Sequence, residues 1–544
     1  MHLPKLLDCT LRDGGYINNW NFSRDFGDAL YRAVSAAGVD YVEVGFLEPG
    51  VQEGLPWTNL SADDLNSIRG DLSEGTAIAV MINYGAVALE DIPEAKDYPA
   101  DLIRVAAPKS AAEEATAFAA AITQKGYRTT INYMGISNYT NQEILSLVDL
   151  MNRFKDEVEY FYVADSFGSL MPKRTREIFG TLRFGTDAAL GFHPHNNLQL
   201  AFANCLEAME AGVDIIDGSV FGMGRGAGNL FTDAMLAYYE QCEPDRYHLV
   251  PVLQFADLYM EELKKEFTWG YSLPQLLSGI LKCHPNYPTN LLKEKAYTAD
   301  DIFSMLQGLS DEKKPRYSKE SLQSIRVAHF GQVIANAVES VSPEMAKLCE
   351  RTEGKALLIC GGSSVVHELG QIEKFVQEQT PSVFSINNPK PPLSVDGVFF
   401  GNRRRFLRNS ALIEENMQVI LGLEVHALNA EMHVCGEVSK VNALAGLGGI
   451  ESPFELTIPA NSAIEGILAL VRCGYRDFHI CGLDGYANGD NYYYEESDQL
   501  NDLDEMAREN VLIQQELRLL ADLGKKLGFS LTLMTQSIFE VPHE

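Results

Sequence analysis

Short apolar segments alternate with longer amphipathic stretches along the first 235 residues. The short segments are rich in β-branched and aromatic residues, which is typical of strands, and the longer stretches carry apolar residues at helical spacing. Eight strands are predicted, roughly 25–35 residues apart, at 5–10, 39–46, 76–83, 102–107, 127–134, 159–165, 188–194 and 213–220. Eight repeats of strand and helix predict a parallel (β/α)₈ TIM barrel, with a doubly wound open sheet as the alternative.

The rest of the chain predicts further domains after a barrel at 1–235. Residues 236–300 have the pattern of a helical extension that caps the barrel, and 301–354 that of a helical connector. Alternation of strands and helices resumes in 355–544, which indicates a Rossmann-like open-sheet α/β domain. The first strand of this domain is predicted to begin at 355, in the segment KALLICGG. Further strands are predicted at 382–387, 397–402, 417–425 and 477–485.

Composition and charge narrow the classes of partner. The formal net charge is −31, which argues against binding to nucleic acid or to anionic membranes, because phosphates are repelled. No apolar run reaches membrane-spanning length, and the first residues lack the pattern of a signal peptide, so we expect a cytoplasmic protein. The nine cysteines are scattered singly, which argues against a disulfide framework or a structural zinc site.

Polar residues gather where three of the predicted barrel strands end. The first strand runs into Arg12 and Asp13, the seventh ends in His193 and His195, and the eighth is followed by a glycine-rich turn that closes with Asn229. Barrel enzymes place their chemistry at these carboxyl ends. Two histidines two positions apart on a strand leave the same face and can hold one ion, with Asp13 supplying a carboxylate.

Other polar residues near strand ends are candidate substrate contacts. Arg12 is placed to hold an enolate oxygen or a substrate carboxylate, with a salt bridge to Glu43 as the alternative. Substrate binding is also predicted for Glu43, Arg104, Asn132 and Asp165. Each of these four could instead be a structural residue of the barrel interior.

These residues resemble the HMG-CoA-lyase-like, or DRE-TIM metallolyase, superfamily. The motifs are LLDCTLRDGG at the start, GFHPHNN on the seventh strand and GMGRGAGN after the eighth, and the resemblance covers about residues 4–290. It implies that Asp13, His193 and His195 bind Mn²⁺ or Mg²⁺. It further implies that Asn229 is a ligand and that Arg12 stabilises the enolate of a carbon–carbon bond reaction.

Within that superfamily the chain is most similar to the 4-hydroxy-2-oxovalerate aldolases. The acetyl-CoA-using synthases continue their first motif as DGEQ, whereas this chain reads Asp13-Gly14-Gly15-Tyr16. The pyruvate aldolases carry a histidine base where this chain has Tyr16, which puts the usual substrate in doubt. Tyr16 is the catalytic candidate at that place, with the base from elsewhere as the alternative. Tyr271, a further candidate substrate contact, and the segment 284–287 are candidates to cap the pocket, with aromatic packing of a helical subdomain as the alternative.

The second half carries a weaker motif. A strand runs into Gly361, Gly362, Ser363 and Ser364, and a later strand ends at Asp484. Glycines before a helix allow a phosphate to approach, and a tight strand–helix turn is the alternative. The segment 474–484 is similar to surface-glycan domains related to CMP-binding and pterin diphosphokinase-like proteins, although the proline of their first motif is missing. That similarity implies a nucleotide or nucleotide-linked sugar as ligand.

The leading functional hypothesis is a metal-dependent aldolase that works through a pyruvate-type enolate. Its partners would be a 2-oxo acid and an aldehyde or sugar, in surface polysaccharide synthesis. One alternative is a Claisen-type acyltransferase that uses acetyl-CoA. Another is an aldolase whose second domain senses nucleotides without chemistry. Barrels of this type often pair, so a homo-oligomer is a further expectation.

Overall fold

A computed structural model describes residues 3–48, 57–70, 75–293, 297–335, 341–414, 416–422, 425, 437–441, 461–486 and 503–541. The chain divides into two compact units. Unit 1 comprises Met1–Asn290 with Leu306–Ser321, and unit 2 comprises Leu291–Met305 with Leu322–Glu544. Among the described residues, no helix combines the length and the apolar character needed to cross a bilayer.

Unit 1 contains a closed barrel of eight parallel strands, joined in sequence order with the last strand paired to the first. The predicted TIM barrel is therefore confirmed, and the open-sheet alternative is wrong for this half. The strands are β1 (Lys5–Asp8), β2 (Tyr41–Phe46), β3 (Ala77–Asn83), β4 (Leu102–Ala107), β5 (Arg128–Met134), β6 (Tyr160–Asp165), β7 (Leu190–Pro194) and β8 (Ile215–Gly218).

Helices follow the strands and bury their apolar stripe against the outside of the barrel. Their starts carry recognisable caps: Ser23 accepts from the amide of Phe26, and Thr140 forms a capping box with Glu143. The helices are α1 (Thr10–Asn18), α2 (Arg24–Ala36), α3 (Ala62–Arg69), α4 (Ala112–Thr123), α5 (Asn141–Phe154), α6 (Pro172–Gly185), α7 (Ala201–Glu210) and α8 (Thr232–Cys242).

Further helices follow the barrel, where the pattern predicted a helical extension and connector. They are α9 (Val250–Phe255), α10 (Glu261–Glu266), α11 (Leu273–Leu281), α12 (Asn286–Lys293), α13 (Ala299–Gln307), α14 (Lys319–Ala335) and α15 (Pro343–Arg351). A turn of π-helix, Ala256–Met260, joins α9 to α10.

Inside the barrel, side chains from the even-numbered strands form layers, as is usual for this fold. An apolar layer comes first, and a charged layer lies two residues further along the same strands. The apolar layer contains Tyr41, Leu102, Tyr160 and Ile215, and the charged layer contains Glu43, Arg104, Tyr162 and Asp217. Gly191 leaves room for this packing, because a Cβ there would lie 2.5 Å from the Tyr162 ring.

Unit 2 contains a seven-stranded sheet in which every described pair is parallel. The predicted Rossmann-like class is confirmed. The strands are β9 (Lys355–Ile359), β10 (Ser382–Ile386), β11 (Gly397–Phe400), β12 (Gln418–Leu421), β13 (Glu437–Lys440), β14 (Asp477–Cys481) and β15 (Ser530–Leu533). Their order is β13-β12-β11-β10-β9-β14-β15, so the direction of winding reverses between β9 and β14.

The sequence pattern missed two strands of this sheet, β13 and β15. Both are four residues long, and the motifs EVSK and SLTL lack the apolar run of the buried central strands. The helices of this part are α16 (Ser364–His367), α17 (Leu369–Gln379), α18 (Arg403–Asn409), α19 (Ser462–Arg472) and α20 (Leu503–Leu527). Part of the predicted strand 417–425, residues 423 and 424, lies outside the described residues.

Candidate metal centre

Strand β1 delivers the first part of the site through an immediate turn into helix α1. The carboxylate of Asp8, the last residue of β1, accepts from the backbone N–H of Thr10 at 3.0 Å and so supports the start of this helix. Arg12 and Asp13 therefore lie in the first turn of α1, and Tyr16 follows one turn later on the same face. The sequence pattern had placed this motif at the end of a strand, without a helix.

The second part comes from β7. His193 and His195 project from the same side, with ring centroids 5.0 Å apart. The Nδ1 atom of His193 lies 2.9 Å from the carboxylate of Asp217, and Nδ1 of His195 lies 3.2 Å from the carbonyl oxygen of Gly228. If each Nδ1 carries the proton that it donates to these oxygens, each Nε2 retains its lone pair for a ligand bond.

The third part is the glycine-rich turn after β8. Gly228 has φ +82°, and a Cβ there would lie 1.8 Å from the carbonyl oxygen of Gly222, so only glycine fits. The turn places Asn229 opposite His195, where the two backbones form a bridge. The Asn229 side chain donates through Nδ2 to Asp13 at 2.7 Å, while its buried Oδ1 has no hydrogen-bond partner among the residues that the structure describes.

The structure brings the predicted ligands together. One donor atom each from Asp13, His193 and His195 lie within 4.8 Å of one another, and all three side chains are buried. A carboxylate and two imidazoles suit a divalent transition metal or a magnesium-like ion. The unpartnered Oδ1 of Asn229 is a further oxygen donor beside them. The residues present therefore fit the ion that the sequence resemblance implies.

The electrostatics of the cluster favour ligand-ready protonation states. Burial by itself opposes the charge on Asp13, but Arg12 and the two histidines hold the pKa of this carboxyl well below its usual range. Burial lowers the pKa of His195 to about 4, against a smaller opposing effect of Asp13. Asp13 is therefore ionised and His195 neutral at neutral pH, as metal binding requires.

A chain of buried ion pairs connects two of the candidate ligands through the charged layer of the barrel. Starting from Asp13, it runs through Arg12, Glu43, Arg104 and Asp217 to His193. Arg12 contacts Asp13 at 2.5 Å and Glu43 at 2.6 Å, and Arg104 contacts Glu43 at 3.1 Å and Asp217 at 2.5 Å. Alternating charges pair every ion in the chain, which offsets the desolvation that buried charges suffer.

Two of the predicted substrate contacts are members of this series of ion pairs. Glu43 and Arg104 are both fully buried and are engaged with neighbouring barrel residues, and the Arg104 guanidinium also lies over the Tyr162 ring at 4.4 Å. Asp217, the carboxylate that joins Arg104 to His193, is not among the residues predicted from the sequence. Its signal was the one carboxylate within the strand Ile215–Gly218, two residues after Ile215 on the same face.

The other predicted contacts lie in different surroundings. Asn132 is buried on β5 and accepts from the Thr130 hydroxyl at 3.1 Å. Asp165 accepts from the backbone N–H groups of Ser169 and Leu170, so its carboxylate is engaged with its own loop. Tyr271 is 58% exposed in the segment that precedes α11.

Tyr16 lies at the rim of the cluster, 43% exposed, with its ring edge-on to Trp20 at 4.6 Å between centroids. Burial raises the pKa of its phenol, against a smaller opposing effect of Arg12. The phenol is therefore protonated at neutral pH and can donate a hydrogen bond there. On the same side of the barrel, Trp20 packs with Phe46, Met81 and Ala106 in a small apolar cluster at the ends of β2, β3 and β4.

The predicted nucleotide-binding residues of unit 2 meet at the point where the winding of the sheet reverses. Asp484 accepts from the Ser364 amide at 2.8 Å and from its hydroxyl at 2.5 Å. Gly362 permits this approach, because a Cβ there would lie 2.4 Å from the Asp484 carboxyl carbon. Gly361 and Ser363 belong to the same turn before α16. A ligand of this unit would have to bind beside the Asp484–Ser364 pair, since the Ser364 amide is already used.

Fold and geometry define a class for unit 1: a (β/α)₈ barrel with a candidate divalent-metal centre at the carboxyl ends of its strands. Comparison with known proteins agrees. A family model described as HMGL-like matches residues 3–245. The oxaloacetate decarboxylase of Mycobacterium tuberculosis is 31% identical over 255 residues, which are 46% of this chain and 72% of that protein.

Two further relatives support the same assignment. The 4-hydroxy-2-oxovalerate aldolase 6 of Rhodococcus jostii is 30% identical over 241 residues, which are 44% of this chain and 68% of that protein. A crystal structure from Bacteroides vulgatus shows the N-terminal domain of a protein provisionally named an aldolase. This domain is 29% identical to the chain, with a TM-score of 0.50. It covers 55% of this chain and 99% of that domain. The chain belongs to the HMGL-like family of metal-dependent aldolases and lyases.

Proposed function

We propose that unit 1 is a divalent-metal-dependent carbon–carbon lyase that makes or breaks a bond through the enolate of a 2-oxo acid. The observation that carries this proposal is the buried cluster of Asp13, His193 and His195 with the Arg12 guanidinium beside it. Such a cluster suits Mn²⁺ or Mg²⁺, which when bound would polarise the carbonyl of a 2-oxo acid.

The named relatives support a pyruvate-type enolate. Oxaloacetate and 4-hydroxy-2-oxovalerate are both 2-oxo acids. Loss of CO₂ from the first and retro-aldol loss of acetaldehyde from the second leave the same fragment, the enolate of pyruvate. Protonation of its methylene carbon then gives pyruvate. The shared fragment favours pyruvate, or a close analogue, as the substrate that this chain enolises.

Arg12 and Tyr16 have distinct proposed roles. The Arg12 Nε and Nη1 atoms are engaged by Glu43 and Asp13, and Nη2 carries the N–H groups that would meet the enolate oxygen. Tyr16, with its raised pKa, would act as a proton donor to the oxygen of the aldehyde in the condensation direction. Asn132 and Tyr271 remain proposed substrate contacts. Glu43, Arg104 and Asp165 are proposed to act through the residues that they hold.

The test is exchange of the pyruvate methyl protons in D₂O with Mn²⁺ present, followed by proton NMR. We expect exchange with the wild-type protein and its loss in Asp13→Asn, because the variant lacks the carboxylate of the cluster. Arg153→Gln is a matched surface control, since its guanidinium pairs with Glu113 on the outside of the barrel. Equal exchange in wild type and Asp13→Asn would refute the proposal.

The acyltransferase alternative makes a different measurable product. A Claisen-type condensation of acetyl-CoA with a 2-oxo acid releases free CoA thiol, which a thiol reagent detects. An aldolase consumes an aldehyde and releases no thiol. We expect no thiol release above background with a panel of 2-oxo acids. Release that depends on both substrates would replace the aldolase proposal.

A nucleotide or nucleotide-linked sugar is proposed as the ligand of unit 2. The support is the reversal of winding between β9 and β14, because ligands of doubly wound sheets bind at the carboxyl ends of the strands there. Such a ligand would link the reaction to surface polysaccharide synthesis. The test is calorimetric titration of the full chain with CMP, UDP and AMP. Saturable heat that Asp484→Ala abolishes is expected, and no heat with any of them contradicts the proposal.

A further inference from the structure

The turn after β8 carries one cation that the metal centre does not use. Arg225 is half-buried in the sequence Gly224-Arg225-Gly226. Its backbone N–H donates to the Asp13 carboxylate at 3.3 Å, and its backbone carbonyl accepts from Gly228. In the described part of the chain, its guanidinium forms neither a hydrogen bond nor an ion pair. The backbone of Arg225 thus supports the cluster, while its side-chain charge has no ion-pair partner among the described residues.

Arg12 and Arg104, the other two arginines of this site, are in the opposite situation. Each is paired with two carboxylates at 3.1 Å or less, so their charges are balanced within the protein. The Arg225 guanidinium forms no ion pair with a carboxylate of the described residues. A half-buried guanidinium without an ion pair in the described part of the chain is free to bind a carboxylate or phosphate of a ligand in bidentate fashion.

The surroundings of Arg225 indicate on which side of the metal centre this anion would lie. The turn that carries Arg225 lies against the helical extension, because a Cβ on the neighbouring Gly226 would be 3.4 Å from Oε1 of Gln275 in α11. Burial and, to a smaller extent, the charge of Arg225 lower the pKa of His284 just before α12. His284 is half-buried, and its Nδ1 accepts from the Asn286 amide. Arg225 therefore lies between the cluster, which its backbone contacts through Asp13, and the helical extension. Arg12 lies on the inner side, next to Glu43.

We propose that Arg225 is a specificity-determining residue, which binds an anionic group on the aldehyde that reacts with the enolate. The substrate class is an aldehyde with a carboxylate or phosphate beyond its reacting carbonyl. This inference rests on the function proposed above, and it adds the chemistry of the second substrate. The 2-oxo acid lies on the inner side with Arg12, so the outer cation remains for the aldehyde.

The test uses acceptor pairs that differ in charge. The wild-type protein with Mn²⁺ and pyruvate is assayed for carbon–carbon bond formation with succinic semialdehyde against butanal, and with glyceraldehyde 3-phosphate against glyceraldehyde. We expect kcat/KM to favour one or both anionic acceptors. In Arg225→Gln that preference should fall by about 10- to 100-fold, the loss expected for one charge-assisted contact. Arg225→Lys should recover part of it, and the surface control Arg153→Gln should keep it.

A binding measurement gives a readout that is independent of turnover. Calorimetric titration of the protein with succinic semialdehyde should show tighter binding than with butanal, and Arg225→Gln should remove the difference. The preferred anionic pair distinguishes carboxylate from phosphate as the recognised group. An equal effect of Arg225→Gln on charged and neutral acceptors, or a wild-type protein without any preference, would overturn the inference.

Failure of this inference is distinguishable from failure of the proposed function. Exchange of the pyruvate methyl protons in the wild-type protein requires no aldehyde. If that exchange occurs and no preference for anionic acceptors is seen, the role of Arg225 is refuted while the enolate chemistry stands. If exchange is absent, the proposed function fails first.

Discussion

The side chains of the candidate ligands are oriented by hydrogen bonds: His193 by Asp217, His195 by the carbonyl of Gly228, and Asp13 by Arg12 and Asn229. These neighbours matter because an imidazole bound to a metal needs a fixed tautomer and ring orientation. Asp217 holds two side chains, since its Oδ2 atom contacts both His193 and Arg104. We therefore expect the metal affinity of the candidate centre to depend on Asp217, which is not itself one of the candidate ligands.

Replacing Asp217 tests this dependence. We expect Asp217→Asn to weaken Mn²⁺ binding by about 10- to 100-fold, because the amide cannot balance Arg104 or hold the His193 proton equally well. Calorimetric titration of Mn²⁺ into the metal-free protein measures the change. Asp214→Asn is the matched control immediately before the same strand, where Asp214 pairs with Arg183 at the surface. Equal Mn²⁺ affinity of Asp217→Asn and wild type would contradict the expectation.

At the scale of elements, the site depends on how closely the turn after β8 approaches α1. Gly224 lies where a Cβ would be 2.3 Å from Asn229 Nδ2 and 2.4 Å from Asp13 Oδ2. Both atoms belong to candidate ligands. A side chain at this position would have to displace one of them or shift the turn.

Gly224→Ala is therefore expected to weaken Mn²⁺ binding by more than about tenfold while the barrel stays folded, since it disturbs two ligand side chains. Calorimetry gives the affinity, and circular dichroism checks the fold. Gly180→Ala serves as control, because Gly180 is exposed in α6 with no atom near its Cβ position. The control should keep its affinity and gain about 0.5–1 kcal/mol of stability. An unchanged Mn²⁺ affinity in Gly224→Ala would contradict the expectation, because the turn would then accommodate a Cβ without disturbing the two side chains.

Asp8, whose carboxylate supports the start of α1, is expected to make the stability of the protein depend on pH. Burial raises the pKa of Asp8 to about 6, although its bonds to Thr232 and Thr10 oppose this. Between about pH 4 and pH 6 the folded protein keeps a proton that the unfolded chain has released. The free energy of unfolding therefore falls as pH rises through this range. The contribution is present below about pH 4 and lost above about pH 6, at most about 3 kcal/mol.

Asp8→Asn removes this titration and can keep an oxygen for the Thr10 N–H and a polar contact to Thr232. Relative to wild type, the variant should become more stable by up to about 3 kcal/mol as pH rises from 4 to 7. Urea unfolding followed by tryptophan fluorescence at several pH values measures the difference. The same difference at every pH would contradict a raised pKa for Asp8.

For the whole molecule, tryptophan fluorescence offers a signal that is specific to unit 1. All three tryptophans, Trp20, Trp57 and Trp269, belong to unit 1. If the metal binds there, Mn²⁺ should stabilise this unit, by about 2.7 kcal/mol at a concentration one hundred times its Kd. Thermal unfolding followed by tryptophan fluorescence should shift upward with Mn²⁺ and return with a chelator. An unmoved transition in wild type would argue against a metal centre in the barrel.

The sequence by itself determined the architecture of both halves. Eight apolar segments at regular spacing predicted the barrel, since strand–helix repeats can bury their faces in few ways. It also selected Asp13, His193 and His195, because carboxyl ends of parallel strands converge at one edge of a barrel. In unit 2 the edge strands β13 and β15 were missed, because short strands with polar residues carry little periodic signal.

Only the tertiary structure decided how the charges are paired. Glu43, Arg104 and Asp217 lie far apart along the chain and meet because the even-numbered strands contribute one layer of the barrel interior. The same closure pairs Arg104 with two carboxylates, whereas the guanidinium of Arg225, in the turn after β8, has no partner among the described residues. Sequence spacing gives the face of a strand on which a side chain lies, but the partner across the barrel depends on closure of the sheet.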